Sequence, residues 1–392
     1  MRPGHDAIVQ LFDWPFRRCQ TELPALAAEG YGAIQVSPPQ LSIDAAEWWG
    51  RYQPVDHTRI EGPLGSEADL RELTRAAHAA GLKVIVDVVL NHMAKGCPQH
   101  ETLRYPRFGP EHFHPRAEVD YNDLRSIREG WIGHGPDLPD LKTSHPHVRE
   151  EARRYLALLL DCGADGFRFD AVKHIEPEFF DAVLADLPPS CFRYGEYILQ
   201  PGHFELLPAY LSSMRLMDFS LHQSLARALG PDGDWAALDR LDAPEAALPN
   251  DQGLAFVTNH DLELAQYGGF ALPADGLALA HAFTVCRLGA VPLVWMEHRS
   301  DPVLRAALRL RRTAAQTGWQ TVHASAQLLV WRSEAGALLV FNAAPAPRHF
   351  EAHWLGHAPQ GWQDLLAQAP LDPLRHVIGP RQPALFLRNV PS

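Results

Sequence analysis

Acids and histidines gather at the ends of four short apolar runs. Residues 83–90 carry Asp87 and lead into Asn91 and His92, and residues 166–169 carry Arg168 and lead into Asp170, Lys173 and His174. Residues 192–195 lead into Glu196, and residues 254–258 lead into Asn259, His260 and Asp261. One such acid alone would as readily cap a helix. Asp170, Glu196 and Asp261 together, with histidines and an arginine but no Ser/His/Asp order and no glycine-rich phosphate loop, suit cleavage of a glycosidic bond. In that chemistry one acid attacks the sugar and another protonates the leaving oxygen. Arg168 lies two residues before Asp170, on the same face of a strand, where its guanidinium favours the ionised form and the nucleophile's part. Glu196, flanked by Tyr194 and Tyr197, has the apolar and aromatic setting that suits the acid.

These groups meet only if their runs are brought side by side. Strand-like runs fall at 7–12, 33–37, 83–90, 166–169, 192–195, 214–218, 254–258 and 291–295, with helical patterns between them. Ser66 with Asp69 three residues on is a capping-box start, Leu70, Leu73 and Ala77 form an apolar stripe, and Gly81 supplies a left-handed stop. Residues 147–161 repeat the pattern, with Val148, Ala152, Tyr155, Leu156 and Leu159 on one face and Gly163 after them. Apolar strands alternating with amphipathic helices predict a parallel sheet covered by helices, and eight repeats predict a closed (β/α)8 TIM barrel of ~250 residues, with a doubly wound open sheet as the alternative. Catalytic groups then belong at the carboxyl ends of the strands. A stretch rich in Pro, Gly and His interrupts the alternation, and short alternating runs close the chain. The expected organisation is a catalytic barrel from 1–91 and 144–316, an inserted domain at 92–143 after the third strand, and a C-terminal antiparallel β-sandwich-like domain at 317–392.

The 392 residues, 46% hydrophobic and 21% charged, have the balance of a globular protein and exclude disorder, collagen and coiled coil as the main class. A formal charge of −12 argues against phosphate backbones and anionic lipid as partners and fits a neutral ligand. No apolar run reaches the ~20 residues of a membrane span. Cys19, Cys97, Cys162, Cys191 and Cys286 are an odd set without zinc-site spacing, so at least one thiol stays free. The opening residues MRPGHDAIVQLFDW lack a signal-peptide pattern. A cytoplasmic protein is the reading as written, and a secreted one with its leader removed is the alternative.

The segments DVVLNH, GFRFDAVKH, the Gly-Glu at 195–196, FVTNHD and LPDL at 138–141 resemble, in order and spacing, those of the α-amylase family of glycoside hydrolases, glycoside hydrolase family thirteen. Residues 30–39 followed by WWGRYQP at 48–54 look most like animal α-amylases and their bacterial relatives. The resemblance covers the barrel. The C-terminal part matches only in position and character. It implies Asp170 as nucleophile, Glu196 as acid/base and Asp261 as the carboxylate that stabilises the transition state. Retention of configuration follows, since in retaining enzymes the two carboxyls lie ~5–5.5 Å apart. His92 and His260 would hydrogen-bond the sugar being cleaved, Arg168 would orient Asp170, and Lys173 and His174 would contact sugars on the leaving-group side. Tyr52 would stack on the reacting ring, with Trp48 and Trp49 offering flat surfaces to neighbouring glucoses.

The resemblance also implies a structural Ca²⁺ held by Asn91, Asp140 and the carbonyl of His174, oxygen donors of the kind a hard cation takes. Chloride, held by Arg168, Asn259 and, as third ligand, Arg299, is the further ion of one branch. The implied activity is that of an endo-acting, retaining α-amylase on α-1,4 bonds of starch, glycogen or malto-oligosaccharides. The alternatives are an α-glucosidase or transglycosylase on short malto-oligosaccharides and, more remotely, a non-catalytic carbohydrate-binding protein. The expected partner is the glucan alone, without nucleic acid or membrane, for a monomeric chain.

Overall fold

The computed structural model describes residues 7–135, 137–199, 203–264, 271–356, 358 and 360–388. The first six residues, on which the leader reading rests, lie outside that set. Eight parallel strands form a barrel: β1 (Ile8–Leu11), β2 (Ala33–Val36), β3 (Lys83–Val88), β4 (Gly166–Phe169), β5 (Phe192–Gly195), β6 (Arg215–Met217), β7 (Gly253–Phe256) and β8 (Val291–Trp295). Their order, β1-β8-β7-β6-β5-β4-β3-β2, closes the sheet into the (β/α)8 fold that the alternating pattern predicts. Each strand falls on its expected run: β4, β5 and β8 match it, β1, β2, β3 and β6 are shorter by one or two residues, and β7 begins one residue earlier and ends two earlier.

By contacts the chain divides into two compact units, one of Leu11–Ala27 and Ala33–Met217, the other of Met1–Gln10, Ala28–Gly32 and Asp218–Ser392. In the first, β2 to β6 pair in parallel register, with Ala33 opposite Lys83, Ile85 opposite Gly166 and Gly166 opposite Phe192. The helix Glu67–Ala79 starts with the expected capping box, Ser66 accepting from the Asp69 amide, and Gly81 follows at φ +78°. The helix Pro146–Asp161 buries the five predicted apolar residues and also Glu151, which is held by Arg107 at 2.7 Å. His145 caps this helix, its Nδ1 accepting from the His147 amide at 3.1 Å. Between β3 and that helix, the described residues from His92 onward form short helices at Pro98–Thr102, Pro110–His112 and Leu124–Glu129. Isolated bridges tie His92 to Asp140 and Phe113 to Leu141.

In the second unit β1 and β7 flank β8, with Ile8 opposite Leu293 and Leu254 opposite Val291. Its C-terminal part is a six-stranded antiparallel sheet with a separate two-stranded piece. Leu328, Val330, Leu338, Val340, Phe350, Trp354, Trp362 and Phe386 fill the core of that part. All five cysteines are free, and only Cys97 is not buried.

Candidate active site

Asp170 and Glu196 follow β4 and β5 directly, at the carboxyl ends where barrel enzymes keep their chemistry. The turn after Asp170 is forced left-handed at Ala171, φ +50°, a conformation that strains a residue bearing a Cβ. What holds it is Glu196. The Ala171 amide donates to Glu196 Oε2 at 3.3 Å, and the Val172 amide donates to the Glu196 carbonyl at 3.0 Å. Gly195 supplies the close approach, since a Cβ there would meet Val172 Cγ2 at 2.6 Å and Met214 Sδ at 2.8 Å.

One buried guanidinium serves three carboxylates. Arg168 Nη1 donates to Asp170 Oδ1 at 2.8 Å and to Asp87 Oδ1 and Oδ2 at 2.8 and 3.0 Å. Its Nη2 lies 2.7 Å from Glu196 Oε1 as an ion pair, without the direction of a hydrogen bond. Asp87 is fully buried and also accepts from the Tyr52 hydroxyl at 2.8 Å. Three acids around one cation cannot all ionise cheaply in a dry site. Burial, with the Glu196 and Asp87 charges behind it, pushes the Asp170 carboxyl up to about 7 against the downward pull of Arg168. Asp87 is raised too, by burial first. Arg168 thus sits where the sequence places it, but burial outweighs its pull on the Asp170 carboxyl.

The first unit gathers most of the predicted sugar contacts. Tyr52 stacks over Phe12 at 6.3 Å, meets Trp48 edge-on at 6.1 Å and has the Arg168 guanidinium 5.8 Å from its ring centre. Trp49 is 41% exposed, as a flat ligand surface requires. His92 is buried with Nε2 on the Tyr52 carbonyl at 2.9 Å, and burial lowers its imidazole to about 4, so it is neutral. Lys173 is buried over the Tyr121 ring, its Nζ 4.8 Å from the centroid, and burial lowers its ammonium to about 8. Tyr121 also meets His174 edge-on at 5.9 Å while remaining 42% exposed. Asp87 was visible as a strand-end acid without a role, and Tyr121 lies in the segment that has no periodicity to read.

In the second unit His260 is buried at the start of the short helix His260–Leu264, with Nε2 3.4 Å from Asp261 Oδ2. Gln10, on β1, reaches its Nδ1 at 2.9 Å and was not singled out by sequence. Asn259 accepts from the Leu262 amide at 3.0 Å, and its Nδ2 is buried without a hydrogen-bond partner. Arg299 Nη1 donates to the Met296 carbonyl at 3.2 Å, and its charge acts on the Tyr31 phenol.

Asn91, Asp140 and His174 share the first unit. Asn91 Nδ2 donates to Asp140 Oδ1 at 3.0 Å, His114 Nδ1 meets Asp140 Oδ2 at 2.7 Å, and His174 Nδ1 meets the Ile127 carbonyl at 2.7 Å. Asn91 Oδ1 is buried without a partner, and burial pushes the Asp140 carboxyl well above its ordinary range. An orphaned amide oxygen beside a dry carboxylate is a donor set that fits a hard cation. No group of three His, Cys, Asp or Glu side chains among the described residues is placed to hold a metal by itself.

A parallel barrel with paired acids at its strand ends has the layout of a glycoside hydrolase. Residues 23–214 match the model of the α-amylase catalytic domain. Two α-amylases of Aeromonas hydrophila are 33% identical over 281 residues and 30% identical over 335 residues, which is 67% and 75% of this chain. The aligned parts are 61% and 71% of those two proteins. The chain belongs to the α-amylase family. The crystal structure of wild-type α-amylase I from Eisenia fetida superposes with a TM-score of 0.84 at 22% identity over 99% of this chain and 96% of that one. A mutant form of that protein is known in complex with maltohexaose.

Proposed function

We propose that this chain is a retaining α-amylase that cleaves internal α-1,4 bonds of starch, glycogen or malto-oligosaccharides. The observation that carries the reading is the bridging of Asp170 and Glu196 by one buried guanidinium. Asp170, once ionised, attacks the anomeric carbon while Glu196 gives its proton to the leaving glycosidic oxygen. In the second step water attacks the glycosyl ester, and Glu196 takes the water's proton. Two acids on one guanidinium suit the close spacing of a retaining pair. One Arg168 charge shared among three carboxylates disfavours ionising all of them at once. Asp261 is the third carboxylate of this reading, supported by the FVTNHD segment and by its contact with His260. Tyr52, Trp48 and Trp49 offer the aromatic surfaces, and Lys173, His174 and Tyr121 the contacts beyond the cleaved bond.

Ca²⁺ would be held by Asn91, Asp140 and the His174 carbonyl, where its charge would tie the inserted segment to the barrel. The chloride reading rests on the sequence resemblance, and hydrolysis unchanged between chloride-free and chloride-rich buffer would remove it. The maltohexaose complex of the Eisenia fetida protein supports a malto-oligosaccharide substrate. The test is the product time course on amylose, with and without a chelator. Mixed oligosaccharides at early times are expected, and glucose as the first and only product would overturn the endo reading.

A further inference from the structure

Gln10 is a polar side chain inside an apolar strand. It lies on β1 opposite Trp295 of β8 and is buried at 2% exposure, between Val9 and Leu11, which are buried too. A polar group in such a place is costly unless it is hydrogen-bonded. Its Nε2 reaches His260 Nδ1 at 2.9 Å, while its Oε1 is buried without a hydrogen-bond partner. β1 and β7 both flank β8, so this bond passes over a strand to reach the segment that follows β7. It lands on the ring next to Asp261, the residue that follows in the chain.

The bond decides where the His260 ring carries its proton. A neutral imidazole has one N–H and one acceptor nitrogen, and the partner of one nitrogen sets the state of the other. With the Gln10 N–H on it, Nδ1 accepts, and the ring proton belongs to Nε2. Nε2 is the atom that lies 3.4 Å from Asp261 Oδ2. Turning the Gln10 amide over would bring Oε1 to Nδ1 and call for a proton there. A neutral ring would then face the Asp261 carboxylate with a bare Nε2 lone pair. The Gln10 amide and the Asp261 carboxylate thus favour the same tautomer from two sides of the ring, and a doubly protonated ring would set Nδ1–H against the Gln10 N–H. We infer that Gln10 is a positioning residue for hydrolysis: it fixes His260 as the neutral tautomer with its proton on Nε2, directed toward Asp261 and a sugar hydroxyl. The part in hydrolysis rests on the function proposed above, whereas the tautomer does not.

The test is nitrogen NMR of the full chain with isotope-labelled histidine, at mildly alkaline pH where an ordinary imidazole is neutral. The His260 signals are those lost in His260→Gln. Protonated and bare ring nitrogens resonate far apart, so the spectrum reads the tautomer. The parent is expected to show Nε2 protonated and Nδ1 bare. Gln10→Glu sets an acceptor against Nδ1 and should draw a proton there, and Gln10→Met removes the partner and should give mixed tautomers. In Gln10→Met, kcat/KM on amylose should fall about threefold to tenfold, the scale of one neutral hydrogen bond. A parent with His260 protonated on Nδ1, alone or on both nitrogens, overturns the inference whether or not the variants fold. So does a Gln10→Glu ring in the parent's state, or a Gln10→Met enzyme with mixed tautomers and undiminished kcat/KM. An active parent with the wrong tautomer overturns the role of Gln10 alone. A parent with the expected tautomer that does not cleave amylose overturns the amylase reading, and the part of Gln10 in hydrolysis with it.

Discussion

Replacing Asp170 by Asn should abolish turnover and stabilise the fold. The buried carboxyl titrates near 7 in the protein against an ordinary value of 3.8, so the native state holds this proton more tightly than the unfolded chain does. The group's contribution to stability is therefore greatest below pH 4, declines as pH rises through 4 to 7, and stays at its lowest above 7. A shift of about 3 units at 1.36 kcal/mol each sets a ceiling of roughly 4 kcal/mol above pH 7. Arg168 keeps Asp87 and Glu196 as partners in the variant, so the loss of one ion pair returns only part of this. The pH dependence isolates the titration, because the lost contact is the same at every pH. Between pH 5 and pH 8 the advantage of the variant should grow by about 2–3 kcal/mol, about 2 pH units of the window. The assay is urea unfolding of both proteins at the two pH values. An advantage that stays constant or shrinks from pH 5 to pH 8 would show that Asp170 carries no raised affinity for a proton.

Glu196→Gln keeps the shape and the Ala171 contact but has no proton to give, so kcat should fall about a hundredfold to ten-thousandfold while glycogen binding persists. Unchanged turnover would refute the assigned role. Asp87→Asn removes a charge whose Oδ1 shares Arg168 Nη1 with Asp170 at 2.8 Å, so the two acids lie within twice that distance. At an effective dielectric of ~20 such a pair interacts by about 3 kcal/mol, and the acid limb of kcat/KM should move to lower pH by about 1–2 units. A limb that stays or moves upward contradicts the shared-charge account. A chelator should lower the thermal midpoint of the parent but not that of Asp140→Asn, in which the buried carboxylate is already gone. Equal midpoints with and without chelator in the parent would remove the cation.

The barrel was legible because each strand is an apolar run with its own stop. GFRF is buried throughout on β4, and Gly163 stands left-handed before it at φ +93°. The positions of Asp170 and Glu196 followed from the same runs, since a residue directly after a barrel strand has one end of the barrel available to it. The raised proton affinity of Asp170 was not legible. Arg168 two residues from Asp170 suggested an ionised nucleophile, but the number of acids sharing that guanidinium depends on Asp87, 81 positions away in the chain. Tyr121 was hidden for a different reason: its place over Lys173 is fixed by a segment of short helices and isolated bridges, which leaves no period in the sequence. Gln10 reads as one more residue of a buried strand until His260 is placed against it.

The central claim is that Asp170 and Glu196 act together as a retaining pair on an α-1,4-glucan. Proton NMR of the anomer first released from a maltopentaose-sized substrate tests it most directly. The α-anomer appearing ahead of mutarotation is the expected result. The β-anomer appearing first would mean that water attacks in a single step, contradicting the nucleophile assigned to Asp170.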